Sequence, residues 1–389
     1  MFTAVIYFPL FICYNQYCST HTKIIFHEDK NHENTYKREW SHMERRITLA
    51  IYCLSHFAVD FACFTVLMGC FYQGVKSLGQ ISVGFLFYDA VAFALQVPLG
   101  YATDRLKAAH GVYAVAGCVL VASGVLAPVD PWARMSLCAA GNALFHVGGG
   151  IDSLVNAGGK FARSGIFISF GAVGVALGTL SGKFAFLPPW AVAAGLLGCI
   201  VLLLVFCRHR ARPYEAVFAW NPVRVRRSDA VIYLCAFSIV VRAAVGAYNP
   251  IPWKTTAFLT VLPALCVFAG KFLGGILADR FGARSTACVS LILSAPLLAF
   301  GNGDIVLCCA GLLLFNVTTA VTLCVVAARL PQNPGLAFGI TTFALFIGTA
   351  ASFFWLMPPA VRPPLILAMI AVSCLCIALT APARPRTFE

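Results

Sequence analysis

Residues 275–284 read G-I-L-A-D-R-F-G-A-R (Gly275–Arg284), a charged turn set between two apolar runs, Thr255–Leu273 and Ser285–Phe300. A shorter echo, G-Y-A-T-D-R-L-K, occupies Gly100–Lys107, again between apolar runs. Both contain G-x-x-x-D-R, and they lie roughly half a chain apart. A charged turn repeated at that spacing, in a chain otherwise this apolar, predicts a duplicated membrane unit.

Composition agrees. Of 389 residues, 60% are hydrophobic and 11% charged, against roughly 25% charged in soluble domains. So little charge cannot cover a water-facing surface, so the expected solvent is lipid. The net charge of +13 would suggest nucleic acid in a soluble chain. Here the basic residues sit between apolar segments, where topology explains them and no nucleic-acid partner is expected. The 17 cysteines are scattered through apolar runs without paired spacing. They read as small buried hydrophobes, with no disulfide framework, metal site or cofactor inferred.

Twelve apolar runs approach the roughly 20 residues that a spanning helix needs. They are Thr48–Phe71, Gln80–Leu99, Val112–Leu126, Ala133–Val155, Ser164–Gly182 and Pro189–Phe206, then Ala230–Ala247, Thr255–Leu273, Ser285–Phe300, Ile305–Ala328, Gly335–Leu356 and Pro364–Leu379. The expected domains are a leader (1–45), a six-helix bundle (46–206), a basic linker (207–229), a second bundle (230–380) and a tail (381–389). Residues 1–42 hold His21, His27, His32 and His42 among acids and lysines. They read as a disordered leader, a metal-binding tail, or sequence upstream of a working start at Met43.

Lysine and arginine placement sets the orientation. One side holds Arg45, Arg46, Arg105, Lys107, Lys160, Arg163, the linker arginines, Arg280, Arg284, Arg329, Arg384 and Arg386. The other holds Lys76, Arg134, Lys183, Lys254 and Arg362. Both termini are therefore expected in the cytoplasm, on a multi-pass protein of the plasma (inner) membrane.

Six plus six helices, a basic central linker and G-x-x-x-D-R turns after the second and eighth helices resemble the major facilitator superfamily, whose loop reads G-x-x-x-D-R-x-G-R. The second copy matches at Gly275, Asp279, Arg280 and Gly282, with Arg284 one place late. The first keeps Gly100, Asp104 and Arg105 but has Lys107 where glycine is usual. The resemblance covers about 46–380 and implies an all-α membrane protein of two pseudo-symmetric six-helix bundles. Physically, glycine lets helices approach closely, and the aspartate suits a neighbouring helix N-terminus. The arginine suits exposed carbonyls or a facing acid. Such contacts form a cytoplasmic gate that breaks when the halves rock. The degraded first copy predicts a latch that depends more on Asp279 than on Asp104. Lys271, eight residues before Asp279, is expected near the same surface, supporting the gate.

Gly141–Gly150 (G-N-A-L-F-H-V-G-G-G) and Ser164–Gly178 (S-G-I-F-I-S-F-G-A-V-G-V-A-L-G) are similar to the fourth and fifth helices of fosmidomycin-resistance-type exporters. The small residues predict a close-packed fifth helix. Thr179 follows Gly178, where drug antiporters usually carry a Gly-Pro pair. The likeness implies a mild preference for efflux and says nothing of the cargo.

Ionisable groups inside a membrane usually face the protein interior or an aqueous cavity. His56 and Asp60 lie four apart on one helical face, His146 is mid-span in the fourth run with Asp152 beyond it, and Arg242 lies in the seventh. Since the first, fourth and seventh helices line the cavity in the resembled fold, His56, Asp60, His146 and Arg242 become candidates around one chamber, with Asn316 opposite. Asp60 is the candidate protonation site and His146 a substrate ligand or proton relay; the plainer alternative is helix–helix hydrogen bonding. Arg242, if it faces the cavity rather than snorkelling outward, suits an anionic substrate. Asp89 is expected to pair with a neighbouring helix.

The expected function is secondary transport of a small molecule by a monomer, proton-coupled because no P-loop occurs. The alternatives are a polytopic enzyme using His146 and Asp152 as acid and base, and a transporter-like sensor.

Overall fold

Each of the twelve apolar runs forms helix, and polar caps separate them. The computed structural model describes residues 30–106, 110–207 and 228–382, with no strand among the described residues. Lys107, the leader before residue 30, the linker arginines and the tail beyond 382 lie outside the described residues.

Helix α1 runs Lys30–Val66 and continues through a π-helical turn, Leu67–Phe71, to Tyr72–Gly74. It thus begins ahead of the apolar run, and residues 30–42, read above as leader, are helical. Helix α2 comprises Leu78–Asp89, a π turn Ala90–Ala94 and Gln96–Leu106. Then come α3 (His110–Leu126), α4 (Pro131–Ala157), α5 (Phe161–Phe184) and α6 (Pro189–Phe206). The second series is α7 (Ser228–Tyr248), α8 (Ala257–Phe281), α9 (Ala283–Phe300), α10 (Ile305–Asn316 and Thr318–Arg329), α11 (Pro334–Phe354) and α12 (Arg362–Thr380).

The ends follow ordinary capping chemistry. The Asp130 carboxylate accepts from the Trp132 and Ala133 amides and is followed by Pro131, which has no amide hydrogen to satisfy. Asp304 caps α10 through the Leu307 amide. Gly158, left-handed at φ 59°, ends α4.

Ten of the helices are long and apolar enough to cross a membrane. Helix α3 is apolar but has 17 residues. Helix α4 is long, at 27 residues, but carries Asn142, His146, Asp152, Ser153 and Asn156, all buried within the protein. Large apolar side chains such as Leu197, Val201 and Val205 of α6 and Ile292 and Leu293 of α9 are exposed instead. An exterior of that kind is compatible with lipid, not with water.

From Arg46 onward the chain packs as one unit, and the stretch before it forms a unit of its own. Within the main unit, α3 packs on α4 and α6, and α5 on α1. In the second half α7 packs on α11 and α12, and α9 on α10 and α12. The halves meet chiefly along two pairs, α5 with α8 and α2 with α11. Those seams position everything described next.

Candidate functional site

Helix α1 presents His56 and Asp60 one turn apart, and α4 presents Asn142 and His146 at the same spacing. These four side chains meet. The Asn142 amide donates to Asp60 Oδ1 at 2.9 Å. His56 Nε2 lies 3.3 Å from Asp60 Oδ2, and His146 Nε2 lies 4.0 Å from Asp60 Oδ1. The two imidazoles touch edge to face, Nε2 to Nε2, at 2.9 Å. All four are buried, and His56 is packed against the rings of Phe145 and Phe167.

The remaining ring nitrogens fix where the protons are. His56 Nδ1 lies 2.9 Å from the Phe167 carbonyl oxygen, and His146 Nδ1 lies 2.9 Å from that of Asn142. A carbonyl can only accept, so each Nδ1 carries its hydrogen. Two neutral rings would then point bare lone pairs at each other across 2.9 Å. Something positive must lie between them.

A metal ion is one solution, since the two Nε2 atoms and the Asp60 carboxylate lie within 4.8 Å of one another. But two nitrogens bound tetrahedrally to one zinc, at about 2.0–2.1 Å each, sit about 3.3 Å apart. The observed 2.9 Å is the length of an N–H···N hydrogen bond. A proton shared by the two rings fits best, and with the Asp60 carboxylate it makes a cluster of no net charge.

Gly171 of α5 makes room for this. A Cβ there would run into both Asp60 Oδ2 and His56 Nε2. Gly171→Ala is expected to wedge the cluster apart and to destabilise the fold by about 1–3 kcal/mol. A purified variant whose thermal unfolding midpoint matches that of wild type would contradict this.

The second half contributes cations. Arg242 of α7 is 7% exposed. Its two terminal nitrogens donate to the hydroxyls of Thr318 and of Thr322, the latter at 2.8 Å, while Nε has no partner. Lys271 corrects the sequence expectation. It does not support the gate: it stands on α8 about 12 Å below Asp279, at 1.5 Å per residue. There it lies within electrostatic reach of Asp60, His146 and Arg242. Asn316 spends its amide on the Leu312 carbonyl of its own helix, at 2.8 Å.

Both charged turns close on the opposite half. Asp104 accepts from the Gly335 and Leu336 amides at the start of α11, at 2.9 and 2.8 Å. Asp279 accepts from the Phe161 and Ala162 amides at the start of α5, at 2.9 Å each. The halves are thus latched at the end that carries these turns. The two pairs of bonds match in length, and beside them Asp279 lies within electrostatic reach of Lys160 and Arg163, and Asp104 of His110. Gly100 and Gly275 let the strapped helices touch: their Cα atoms face the backbone at Gly335 and at Phe161–Ala162. Gly282, at φ 90°, turns the chain from α8 into α9.

The arginines do not join the latch. Arg105 donates to the Tyr101 hydroxyl and lies over its ring, and Arg280 lies over Phe281. Arg284 bonds the Ala381 carbonyl at 2.9 Å, tying α9 to the end of α12 within one half. Asp89 lies half-buried just ahead of the α2 π turn. His146 and Asp152, acid and base in the alternative enzyme reading, share no hydrogen bond among the described residues. Asp152 accepts instead from the Tyr52 hydroxyl at 2.6 Å and from His110 Nδ1 at 3.1 Å.

No family model matches the chain, and no curated protein matches it significantly. Solved structures do. A variant of the E. coli fucose:proton symporter FucP superposes with a TM-score of 0.61 at 16% identity, covering 87% of this chain and 100% of that one. A second FucP structure, a Major Facilitator Superfamily transporter in the outward conformation, gives 0.57 at 14% identity, over 87% and 100%. This chain therefore has the major facilitator fold.

Proposed function

We propose that this chain is a secondary transporter that moves a small solute by alternating access, coupled to protons at His56, His146 and Asp60. The observation that carries the reading is the 2.9 Å contact between two imidazoles whose other nitrogens each face a main-chain carbonyl. It holds one exchangeable proton, with Asp60 as counter-ion, where α1 meets α4. When that proton leaves, lone pairs face each other and the rings must part, so proton release is tied to helix movement. The latches at Asp104 and Asp279 supply the bistable element which that movement biases.

The reading extends to all twelve helices as spans, with bundles 46–206 and 230–380 joined by the basic linker. Both termini lie in the cytoplasm and the latched end faces it, in the plasma membrane; the working unit is a monomer. The latched arrangement is then closed on the cytoplasmic side, in keeping with the outward conformation of one FucP structure. For direction we favour export, on the sequence pattern of α4 and α5, although the cycle itself runs either way.

Reconstitution tests this. Proteoliposomes holding a pH dye are expected to show proton flux when a transported solute is added across a solute panel, and none with empty liposomes. Solute movement with no accompanying proton flux would remove the coupling. Absence of any solute movement would remove the transport reading.

A further inference from the structure

We propose that the chain takes a small organic oxyanion, held between Arg242 on α7 and Lys271 on α8. This rests on the transport reading and adds the chemical class of the cargo. Arg242 is buried, yet what holds its guanidinium is two neutral hydroxyls, Thr318 and Thr322. Its Nε has no partner, and no carboxylate lies against it. Guanidinium offers five donors in a planar fork matched to carboxylate or phosphonate oxygens, and the threonines occupy only part of it. A buried cation without a counter-ion is costly, and in a membrane protein marks a place where one arrives.

Lys271 doubles the argument. It is half-buried within electrostatic reach of both Arg242 and Asp60, and makes no hydrogen bond among the described residues. Two cations brought together inside a protein repel unless an anion joins them. Asp60 is not that anion: its oxygens are engaged by Asn142 and His56. The other two buried aspartates are also committed, Asp104 to its latch and Asp152 to Tyr52 and His110, as is the half-buried Asp279 of the second latch.

A separate observation comes from the end opposite the latches. Lys183 closes α5, and Lys254 lies in the connection between α7 and α8, so they belong to different halves. They are nevertheless within electrostatic reach of one another, and Lys254 has its pKa lowered by partial burial and, to a smaller extent, by Lys183. Like charges drawn from both halves at one end make an approach that concentrates anions. Basic side chains thus mark both the approach and the interior.

The test uses the purified full-length chain in detergent, with the thermal unfolding midpoint read against butyrate and methylphosphonate. Erythritol and propylamine serve as neutral and cationic controls. At least one of the two anions is expected to raise the midpoint, as any ligand of the native state does, and the controls are not. The shift should vanish in Arg242→Gln and in Lys271→Gln and survive in part in Arg242→Lys and Lys271→Arg. Should Arg242→Gln not fold, Lys271→Gln alone decides. The proposal is overturned if neither anion shifts the midpoint, if the glutamine variants shift as wild type does, or if a control shifts it instead. No gradient or translocation enters this measurement, so it stands apart from the liposome assay. Proton-coupled uptake of a neutral solute would sink the anion class and leave the transport reading in place.

Discussion

Asp60→Asn is expected to abolish accumulation of solute against its gradient, by about 100-fold or more, while leaving solute exchange across the membrane running. The amide is nearly isosteric, so packing at Gly171 and the bond from Asn142 have a ready substitute. What disappears is the negative charge that balances the proton shared by His56 and His146. A buried imidazolium without a counter-ion is unfavourable by several kcal/mol, and each 1.4 kcal/mol is a factor of ten in occupancy. The variant should therefore cycle with its proton site empty. The measurement is uptake of labelled solute into proteoliposomes with and without an imposed pH difference, beside counterflow in its absence. If pH-driven accumulation persists at the wild-type level in Asp60→Asn, the cluster is not the coupling site.

The second large effect concerns the latches. Each aspartate accepts two backbone amides at a helix start, and bonds to charged groups contribute about 1.5–3 kcal/mol apiece. Even about 3 kcal/mol per latch changes the ratio of the two conformations more than about 100-fold. Asp104→Asn and Asp279→Asn are expected to open the latched end to similar extents, because the geometry at the two is the same to 0.1 Å. Cysteine pairs placed across the latched end, and crosslinked in each variant, report the shift. Leu336→Pro and Ala162→Pro add a sharper arm. Proline is tolerated in a first helical turn but has no amide hydrogen, so each should weaken its own latch without unwinding α11 or α5. A marked difference between Asp104→Asn and Asp279→Asn, or no effect of either proline, would show that the aspartate–amide bonds are not what holds that end shut.

How much of this was legible beforehand varies with how far the information is local. The helices follow from run length, and the pairing of His56 with Asp60 follows from four-residue spacing on one helix. That His146 meets them depends on α1 facing α4, which only the family likeness suggested. Asn142 escaped notice although it lies one turn before His146, on the same face; spacing alone could have found it. Thr318 and Thr322 could not have been found so, because hydroxyls are common in apolar helices and only the position of Arg242 singles them out. The misplacement of Lys271 has a simple cause: α8 extends unbroken to Phe281, so eight residues along it are depth, not surface. The equality of the latches was hidden because their receivers are main-chain amides, which leave no residue pattern to read.

The internal neutrality of the histidine cluster has one more consequence, for how such a carrier meets the membrane potential. Moving one elementary charge across a membrane changes the energy by about 2.3 kcal/mol per 100 mV. A proton carried with a neutral solute would move that charge in every cycle. A proton that crosses in the same direction as a monoanion held by Arg242 and Lys271 moves none, since the two charges travel as a compensated pair, whereas export in exchange for an entering proton moves two. Voltage would therefore be idle in the symport direction and a second driving force, beside the pH difference, in the export direction favoured above.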